Sequence, residues 1–444
     1  MIPHRLSFFC LLLFGLFASG CDRAFSDVGA ATIEVVSPDI QVALTEPTLN
    51  LELRVESVRE VTRVRWQDTE FGRGNGTDLW QATLPLEKGL NQFVIETVVD
   101  DGPSALDTVS VFHLEYELSQ AQPPVLTFGT GGHTLSPLPN GDLLLVGGSF
   151  LVGNVSGLDA QRLPSGESSF RPERGLPVFG RVGHTTTVLP DGRLLILGGA
   201  DIGNIQTVDD LHEAVEVFDP STDTFKQIPV SGPPIRRTYH SAILRVVPDR
   251  TFIVVFGGRG DTRYSPSPVL GIRQDMRTFQ LRNDSLFALS PSIGPFIDLM
   301  AGHTQTALTQ EEPGTAHTFL ISGMRFGTSL EAASIWMDFE GAFGIDIVPG
   351  NTMLTPRIRH ASILIEDGFI AHFGGRGSDP ETVFDRGELY VEAIDQYFYL
   401  PFTLAPRYGL TANRLPDGRI LVLGGFDEFG TATSTAEFIS LDVQ

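Results

Sequence analysis

The sequence predicts an all-β protein, and three observations lead to that prediction. Polar and apolar residues alternate between residues 30 and 117, as in "LNLELRV". From residue 118 onwards a pair of glycines recurs every 50 to 65 residues. Short turn sequences such as "PNG" and "PDG" separate apolar stretches such as "RLLILGG". Alternation with a period of two is typical of half-buried strands, and Gly, Pro, Asn and Asp favour tight turns.

The composition is that of a folded protein and argues against a nucleic-acid partner. The chain has 444 residues, of which 41% are hydrophobic and 19% charged, and its formal net charge is −23. A chain of this length is expected to form two or more domains or a repeat array. Binding of nucleic-acid phosphates requires basic patches, which so acidic a chain does not favour.

Residues 1–20 are predicted to be a signal peptide and not part of the fold. Arg5 precedes an apolar run from Leu6 to Phe17, and three small residues follow immediately before Cys21. This arrangement resembles the lipobox of bacterial lipoproteins, which implies that Cys21 is lipidated. We therefore expect a lipid-anchored protein of a bacterial cell envelope, either periplasmic or surface-exposed, that contacts the membrane through its anchor. Ordinary signal cleavage is the alternative.

The cysteine content limits the chemistry of the mature chain. Cys10 lies inside the signal peptide and Cys21 at its end, and there are no others. The body after Cys21 is therefore predicted to have no disulfide, no thiolate metal site and no cysteine nucleophile. We predict no cofactor.

Residues 30–117 are predicted to form a small β-sandwich. About six alternating segments, broken by Gly, Pro and Asp, fit into fewer than ninety residues. The run from Trp80 through Gly89 to "VVDDG" resembles bacterial immunoglobulin-like domains. That resemblance implies a spacer or a binding arm.

Residues 118–444 contain six related units. Each unit has an anchor residue, 14 residues before its first glycine in four copies and 17 or 19 in the others. The anchors are His133, His184, His240, His303, His360 and Leu410. The double glycines are Gly147 and Gly148, Gly198 and Gly199, Gly257 and Gly258, Gly374 and Gly375, and Gly424 and Gly425, with Ser322 and Gly323 as a weaker sixth copy. Such a period predicts an array of supersecondary units.

Within each unit a first strand follows the anchor, and after a tight turn a second strand leads to the glycines. The third and fourth strands are clearest in "EAVEVFDPSTDTF". Four strands per unit indicate a propeller blade. An arginine shortly before the anchor (Arg181, Arg237, Arg357 and Arg407), the double glycine and "VFDPSTDTF" resemble the kelch repeat. The resemblance implies a six-bladed kelch-type β-propeller. Since the last unit has only three strands, we predict that residues near 118–128 complete its sheet.

The repeated histidines and arginines are predicted to be structural. Each histidine begins the same strand of a different sheet, and packed sheets lie roughly 10 Å apart. Zinc requires its nitrogen ligands at about 2.0–2.1 Å, so the five histidines are not expected to share a metal, and no metal site is predicted. A galactose-oxidase type of copper site, which needs a cysteine, does not fit this chain.

Binding is predicted on the face that carries the loops after the glycines and before the anchors, because variable loops on a rigid scaffold carry function. The candidate residues are Arg259, Asp261, Arg263, Tyr264, Arg376, Asp379, Arg386, Asp427 and Glu428. Their mixed charges suit a protein or glycan partner, and a non-catalytic binding or scaffolding role is favoured. The alternative is a periplasmic carbohydrate-active enzyme of the kelch sialic-acid-epimerase type, with carboxylates and arginines near the central channel. Solvated surface charge is the simplest explanation for any one of these residues.

Overall fold

A computed structural model describes residues 31–75, 78–119, 122–150, 160–201, 205–261, 270–273, 275–289, 300–309, 318–326, 330–340, 344–379 and 382–443. The predicted signal peptide, Cys21, Arg263 and Tyr264 lie outside the described residues. The described chain is almost entirely β-structure, with two 3₁₀ turns at Val208–Asp210 and Glu392–Ile394.

Eight strands lie before residue 114. They form two four-stranded sheets, ordered β1-β2-β6-β5 and β4-β3-β7-β8. The strands are β1 (Thr32–Ser37), β2 (Thr48–Glu56), β3 (Val61–Trp66), β4 (Thr69–Glu70), β5 (Gly72–Arg73), β6 (Leu79–Pro85), β7 (Gly89–Val99) and β8 (Ala105–His113). In β2, Leu49, Leu51, Leu53 and Val55 are buried in alternation with more exposed residues, as the sequence pattern predicted.

Twenty-eight further strands are assigned in the described part of the chain from residue 115 onwards. They are β9 (Glu115–Leu118), β10 (Thr134–Pro137), β11 (Leu143–Val146), β12 (Ala160–Leu163), β13 (Arg171–Pro172), β14 (Thr185–Val188), β15 (Leu194–Leu197), β16 (Val215–Asp219), β17 (Thr224–Ile228), β18 (Val230–Ser231), β19 (Arg237–Thr238), β20 (Ser241–Val247), β21 (Arg250–Phe256), β22 (Arg259–Asp261), β23 (Leu270–Ile272), β24 (Met276–Arg282), β25 (Ser285–Ala288), β26 (Thr304–Ala307), β27 (Thr318–Phe326), β28 (Leu330–Glu340), β29 (Gly344–Pro349), β30 (Ala361–Glu366), β31 (Phe369–Phe373), β32 (Arg386–Val391), β33 (Gln396–Thr403), β34 (Thr411–Arg414), β35 (Ile420–Leu423) and β36 (Ala436–Asp442).

Each repeat unit of the sequence corresponds to one main sheet, in which the strand after the anchor pairs with the next long strand of the unit. The third unit has a small second sheet as well. Four sheets follow chain order: β10-β11-β12-β13, β14-β15-β16-β17, β26-β27-β28-β29 and β30-β31-β32-β33. The third unit has five strands, β18-β25-β24-β21-β20, and a small separate sheet, β19-β22-β23. The last unit has the order β34-β35-β36-β9.

The outermost strand of the last sheet comes from early in the chain. β9 pairs antiparallel with β36, so that Leu118 faces Ile439 and Glu115 faces Asp442. The sequence predicts this strand near residues 118–128, whereas the structure places it at Glu115–Leu118. Pro123 and Pro124 explain the shift, because a proline has no N–H to donate to a sheet ladder.

The chain divides into two compact units by its internal contacts. The first comprises the described residues up to Val36, Leu51–Ala82 and Phe93–Val109, with buried residues such as Val64 and Ile95. The second comprises Ser37–Asn50, Thr83–Gln92 and the described residues from Ser110 onwards.

Within the second unit, the first strands of the six sheets contact one another in chain order. These strands are β10, β14, β20, β26, β30 and β34, and β34 in turn contacts β10. Buried apolar clusters lie between successive sheets: Leu144 packs with Leu194, and Leu145 with Leu423. The first and last sheets are therefore held together by the same kind of core as neighbouring sheets along the chain.

Candidate functional site

The residue immediately before each anchor belongs to a closed ring of backbone hydrogen bonds, which we call the inner ring. Each N–H donates to the carbonyl oxygen of its counterpart in the preceding unit, and the first donates to the last, with N···O distances of 2.6–2.9 Å. All six residues have positive φ, between 52° and 71°. The members are Gly132, Gly183, Tyr239, Gly302, Arg359 and Gly409. Four are glycine, for which this conformation costs least.

The anchor histidines connect neighbouring sheets. The Nε2 atom of each lies 3.0–3.2 Å from the hydroxyl oxygen of the residue that follows the preceding anchor. The pairs are His133 with Thr411, His184 with Thr134, His240 with Thr185, His303 with Ser241, and His360 with Thr304. Burial lowers the pKa of His133 and His303 to about 3. These imidazoles are neutral at physiological pH.

The double glycines provide the space that the anchors occupy. A Cβ atom on Gly198 would lie 2.6 Å from His240 Cε1 and 2.5 Å from the carbonyl oxygen of Arg237. The N–H of the next residue, Gly199, donates to that same carbonyl at 2.9 Å. The first glycine therefore admits the imidazole of the following unit, and the second binds that unit's backbone.

The four repeated arginines are almost fully buried and paired within their own sheets. Their carboxylate partners lie on the third strand of the sheet or just before it, at N···O distances of 2.6–3.0 Å. The pairs are Arg181 with Glu216, Arg237 with Asp275, Arg357 with Glu388, and Arg407 with Glu437. Arg357 also donates to the carbonyl oxygen of Gly374 at 2.8 Å, which ties the ion pair to the double glycine.

No group of three or more His, Cys, Asp or Glu residues in the described parts of the chain is arranged to hold a metal ion. In the same described residues, no helix has the length and apolar character to cross a bilayer.

Two arginines and two tyrosines meet at the inner ring, and we call these four residues the mouth cluster. The guanidinium carbon of Arg359 lies 3.9 Å from the ring centroid of Tyr239 and 5.9 Å from that of Tyr408. The guanidinium carbon of Arg376 lies 5.1 Å from the Tyr408 centroid. Tyr239 and Arg359 are inner-ring members, Tyr408 precedes Gly409, and Arg376 follows the double glycine of its unit.

The electrostatics of the mouth cluster differ from those of the repeated arginines. Burial lowers the pKa of Arg376, and the neighbouring charge of Arg359 lowers it further. Burial raises the pKa of Tyr408, against the opposing effect of both guanidinium groups. Among the described side chains, no carboxylate forms an ion pair with Arg359 or Arg376. Two positive charges are thus held close together against aromatic rings.

A cavity of about 130 Å³ lies along the axis of the inner ring. Its walls are the six inner-ring residues and the six anchors. It is smaller than the roughly 300 Å³ of a typical small-molecule pocket, so it has room for one functional group rather than a whole ligand.

Of the nine candidate residues from the sequence, the structure brings Arg376 into the mouth cluster. Arg259 and Asp261 were expected in a loop, but the structure places them in β22, where the Arg259 backbone pairs with Thr238 and Ile272. Arg386 likewise begins β32: its Nε donates to the carbonyl oxygen of Leu400 at 3.2 Å and its guanidinium lies over Tyr399. Both residues lie in strands because neighbouring segments of the chain pair with their backbones.

The remaining described candidates lie on loops. Asp379 and Glu428 are exposed. Asp427 is used by its own turn, because its carboxylate accepts hydrogen bonds from the N–H groups of Phe429 and Thr431. That turn presents Phe429, whose side chain is 80% exposed.

The sequence reasoning missed Tyr239, Arg359 and Tyr408. A signal was available, because the residues before the six anchors read Gly, Gly, Tyr, Gly, Arg and Gly. Two departures from glycine in a repeated position mark the places where the ring carries side chains.

The sheets and the inner ring define an all-β protein of the β-propeller type. A solved structure of YjhT, a kelch-type β-propeller protein, matches with a TM-score of 0.56 and 13% sequence identity, covering 73% of this chain and 100% of that one. It is one of 222 matching chains of solved structures. At this identity the likeness concerns the fold alone. No protein-family model and no curated protein matches the chain.

Proposed function

We propose that this protein is a lipid-anchored component of a bacterial cell envelope whose propeller binds a polar partner, a glycan or a protein, at the mouth cluster. The observation that carries the proposal is the pair of guanidinium groups of Arg359 and Arg376, stacked on tyrosine rings and without a described carboxylate partner. Arginine beside aromatic rings is well suited to recognising polar and anionic groups.

In this proposal the propeller has six kelch-type blades. Support comes from the match between the six repeat units and their six main sheets, and from the contact between β34 and β10. The immunoglobulin-like character of the N-terminal sandwich is part of the same proposal and is supported by its two four-stranded sheets. The anchor is supported by the apolar run before Cys21.

Binding is better supported than catalysis by the groups that the mouth offers. A general base works best with a pKa near the operating pH. Burial lowers the pKa of His303 to about 3, and its Nε2 contacts the Ser241 hydroxyl. Guanidinium groups, in contrast, remain charged and are suited to holding a ligand.

The test is a glycan array probed with the full chain in detergent, as wild type, Arg376→Gln and Arg236→Gln. Arg236 is the matched control, because it already forms an ion pair with Glu213. We expect binding that Arg376→Gln abolishes and Arg236→Gln preserves. Glycan binding that survives Arg376→Gln would contradict the proposed location, whereas no glycan binding by the wild type would favour a protein partner.

The anchor needs its own experiment. Cells that express the full chain would be labelled with radioactive palmitate, with Cys21→Ser as the control. We expect label on the wild type and none on the variant. An unlabelled wild type would contradict lipidation.

A further inference from the structure

The two arginines of the mouth cluster form no ion pair with a carboxylate among the described side chains, unlike the buried arginines within the sheets. Arg162, for example, contacts three carboxylates, those of Asp142, Glu173 and Asp223. Arg357, with 1% of its side chain exposed, faces Glu388 at 2.6 Å. The guanidinium groups of Arg359 and Arg376 instead lie against the same tyrosine ring, that of Tyr408, and Arg359 also lies over Tyr239. Withdrawing charge from water without a partner is unfavourable, so a bound anion would stabilise this arrangement.

Backbone conformation singles out the same residues. Tyr239 and Arg359 adopt φ of 52° and 55°, in ring positions that are otherwise glycine. A side chain in this left-handed region costs energy that glycine avoids. Such strain clusters at functional sites, where the side chain is kept for what it does. Glycine would satisfy the ring hydrogen bonds at both positions, so the backbone ring does not require these two side chains. Tyr239 also packs against a small buried cluster that includes Ala200 and Leu211.

We infer that the mouth cluster binds one carboxylate group of an acidic ligand between the guanidinium groups of Arg359 and Arg376. This inference rests on the proposed function and names the chemical class of its ligand. Guanidinium matches a carboxylate with two parallel N–H···O bonds, and partly buried surroundings strengthen such bonds. The tyrosine rings hold both guanidinium planes in place.

The size of the cavity determines how much of the ligand enters. Tyr239 and Arg359 of the mouth cluster line this cavity of about 130 Å³, so a carboxylate fits beside Arg359 and the rest of the ligand must lie outside the ring. The ring of Phe426, whose side chain is only 1% exposed, supports Tyr408 from beneath, with the two ring centroids 5.5 Å apart. Because a glycan is one of the proposed partners, glucuronate, a sugar with a single carboxylate, is the probe of choice.

The experiment is calorimetric titration of the full chain in detergent with glucuronate, glucose and sulfate. We expect saturable binding of glucuronate, and binding of glucose at least tenfold weaker. Arg359→Gly and Arg376→Gln should each weaken glucuronate binding at least tenfold, whereas Arg236→Gln should leave it unchanged. Arg359→Gly introduces the residue found at four of the six ring positions, so this variant is expected to fold, and its thermal unfolding temperature should equal or exceed that of the wild type.

Several results would overturn the inference. Equal binding of glucose and glucuronate would exclude a carboxylate site, and tighter binding of sulfate would assign the mouth to a tetrahedral oxyanion. Undiminished glucuronate binding by Arg359→Gly would place the site elsewhere. If the array finds only neutral glycans that still depend on Arg376, the proposed function stands and this inference fails.

Discussion

His184 Nε2 lies 3.0 Å from Thr134 Oγ1, and this contact joins the first two repeat units. Four other unit boundaries have the same pairing of imidazole with hydroxyl. At the remaining boundary, between the fifth and sixth units, the anchor is Leu410 and the residue after the preceding anchor is Ala361, and both belong to one buried apolar cluster. Each boundary thus has either a matched polar pair or a matched apolar pair.

Replacing a polar pair by an apolar pair should show that the stability effects of the two substitutions depend on each other. His184→Leu leaves the Thr134 hydroxyl with the Thr186 hydroxyl, at 2.7 Å, as its remaining partner. We expect the variant to lower the free energy of unfolding by about 1–3 kcal/mol. His184→Leu combined with Thr134→Ala recreates the Leu410 and Ala361 pair, so the double variant should lose about 1 kcal/mol less than the sum of the single variants. Urea unfolding measures all three. Strict additivity would contradict a matched pair.

The buried histidines should make the protein sensitive to acid. Burial is the main cause that lowers the pKa of His133, His184, His240, His303, His360 and His372. The unfolded chain protonates these groups below about pH 6.5. In the folded chain burial lowers the pKa of His133, His303 and His372 to about 3. Their contribution to stability is therefore complete above pH 6.5 and falls as the pH decreases.

Each such histidine contributes a slope of about 1.4 kcal/mol per pH unit near pH 5. His303→Gln removes one titrating group, so the slope of unfolding free energy against pH should decrease by about that amount. Denaturant unfolding between pH 4.5 and 6 provides the measurement. An unchanged slope in the variant would mean that His303 is protonated in the folded protein.

Two glycines with similar backbone angles test the role of the double glycine. Gly198 has φ of 64° and crowded surroundings, whereas Gly166 has φ of 80° and no atom within 4 Å of an added Cβ. Gly166→Ala should cost about 1 kcal/mol through strain alone. Gly198→Ala should cost several kcal/mol more, since His240 would have to move. Thermal unfolding compares them, and equal losses would argue against the packing role.

The repeated parts of this fold could be predicted because their residues act alike in every unit. His240 and Gly198 belong to motifs that recur along the sequence. The same contact, between an anchor imidazole and the first glycine of a neighbouring unit, recurs for His133, His184 and His303. The mouth cluster could not be found in that way, because Tyr239 and Arg359 are departures from the repeat. Their meeting across the ring depends on the order in which the sheets close, which local patterns do not contain.

The loop residues illustrate a second limit. Arg259 and Arg386 follow glycine-rich or acidic segments that read as loops, yet both lie in strands because partner segments pair with them. Composition indicates that such segments are polar, but it does not predict which other segment they will pair with in a sheet.

β9 completes the last sheet and so joins the two ends of the repeat array. Glu117 and Ser440 are register partners in this pair of strands. A disulfide between Glu117→Cys and Ser440→Cys, identified by mass spectrometry of linked peptides, tests the claim directly, with Glu117→Cys and Asp442→Cys as the out-of-register control. We predict that oxidation links the 117–440 pair efficiently and raises the unfolding free energy by about 2–5 kcal/mol. Two free thiols that react with maleimide in the folded protein would contradict the closure.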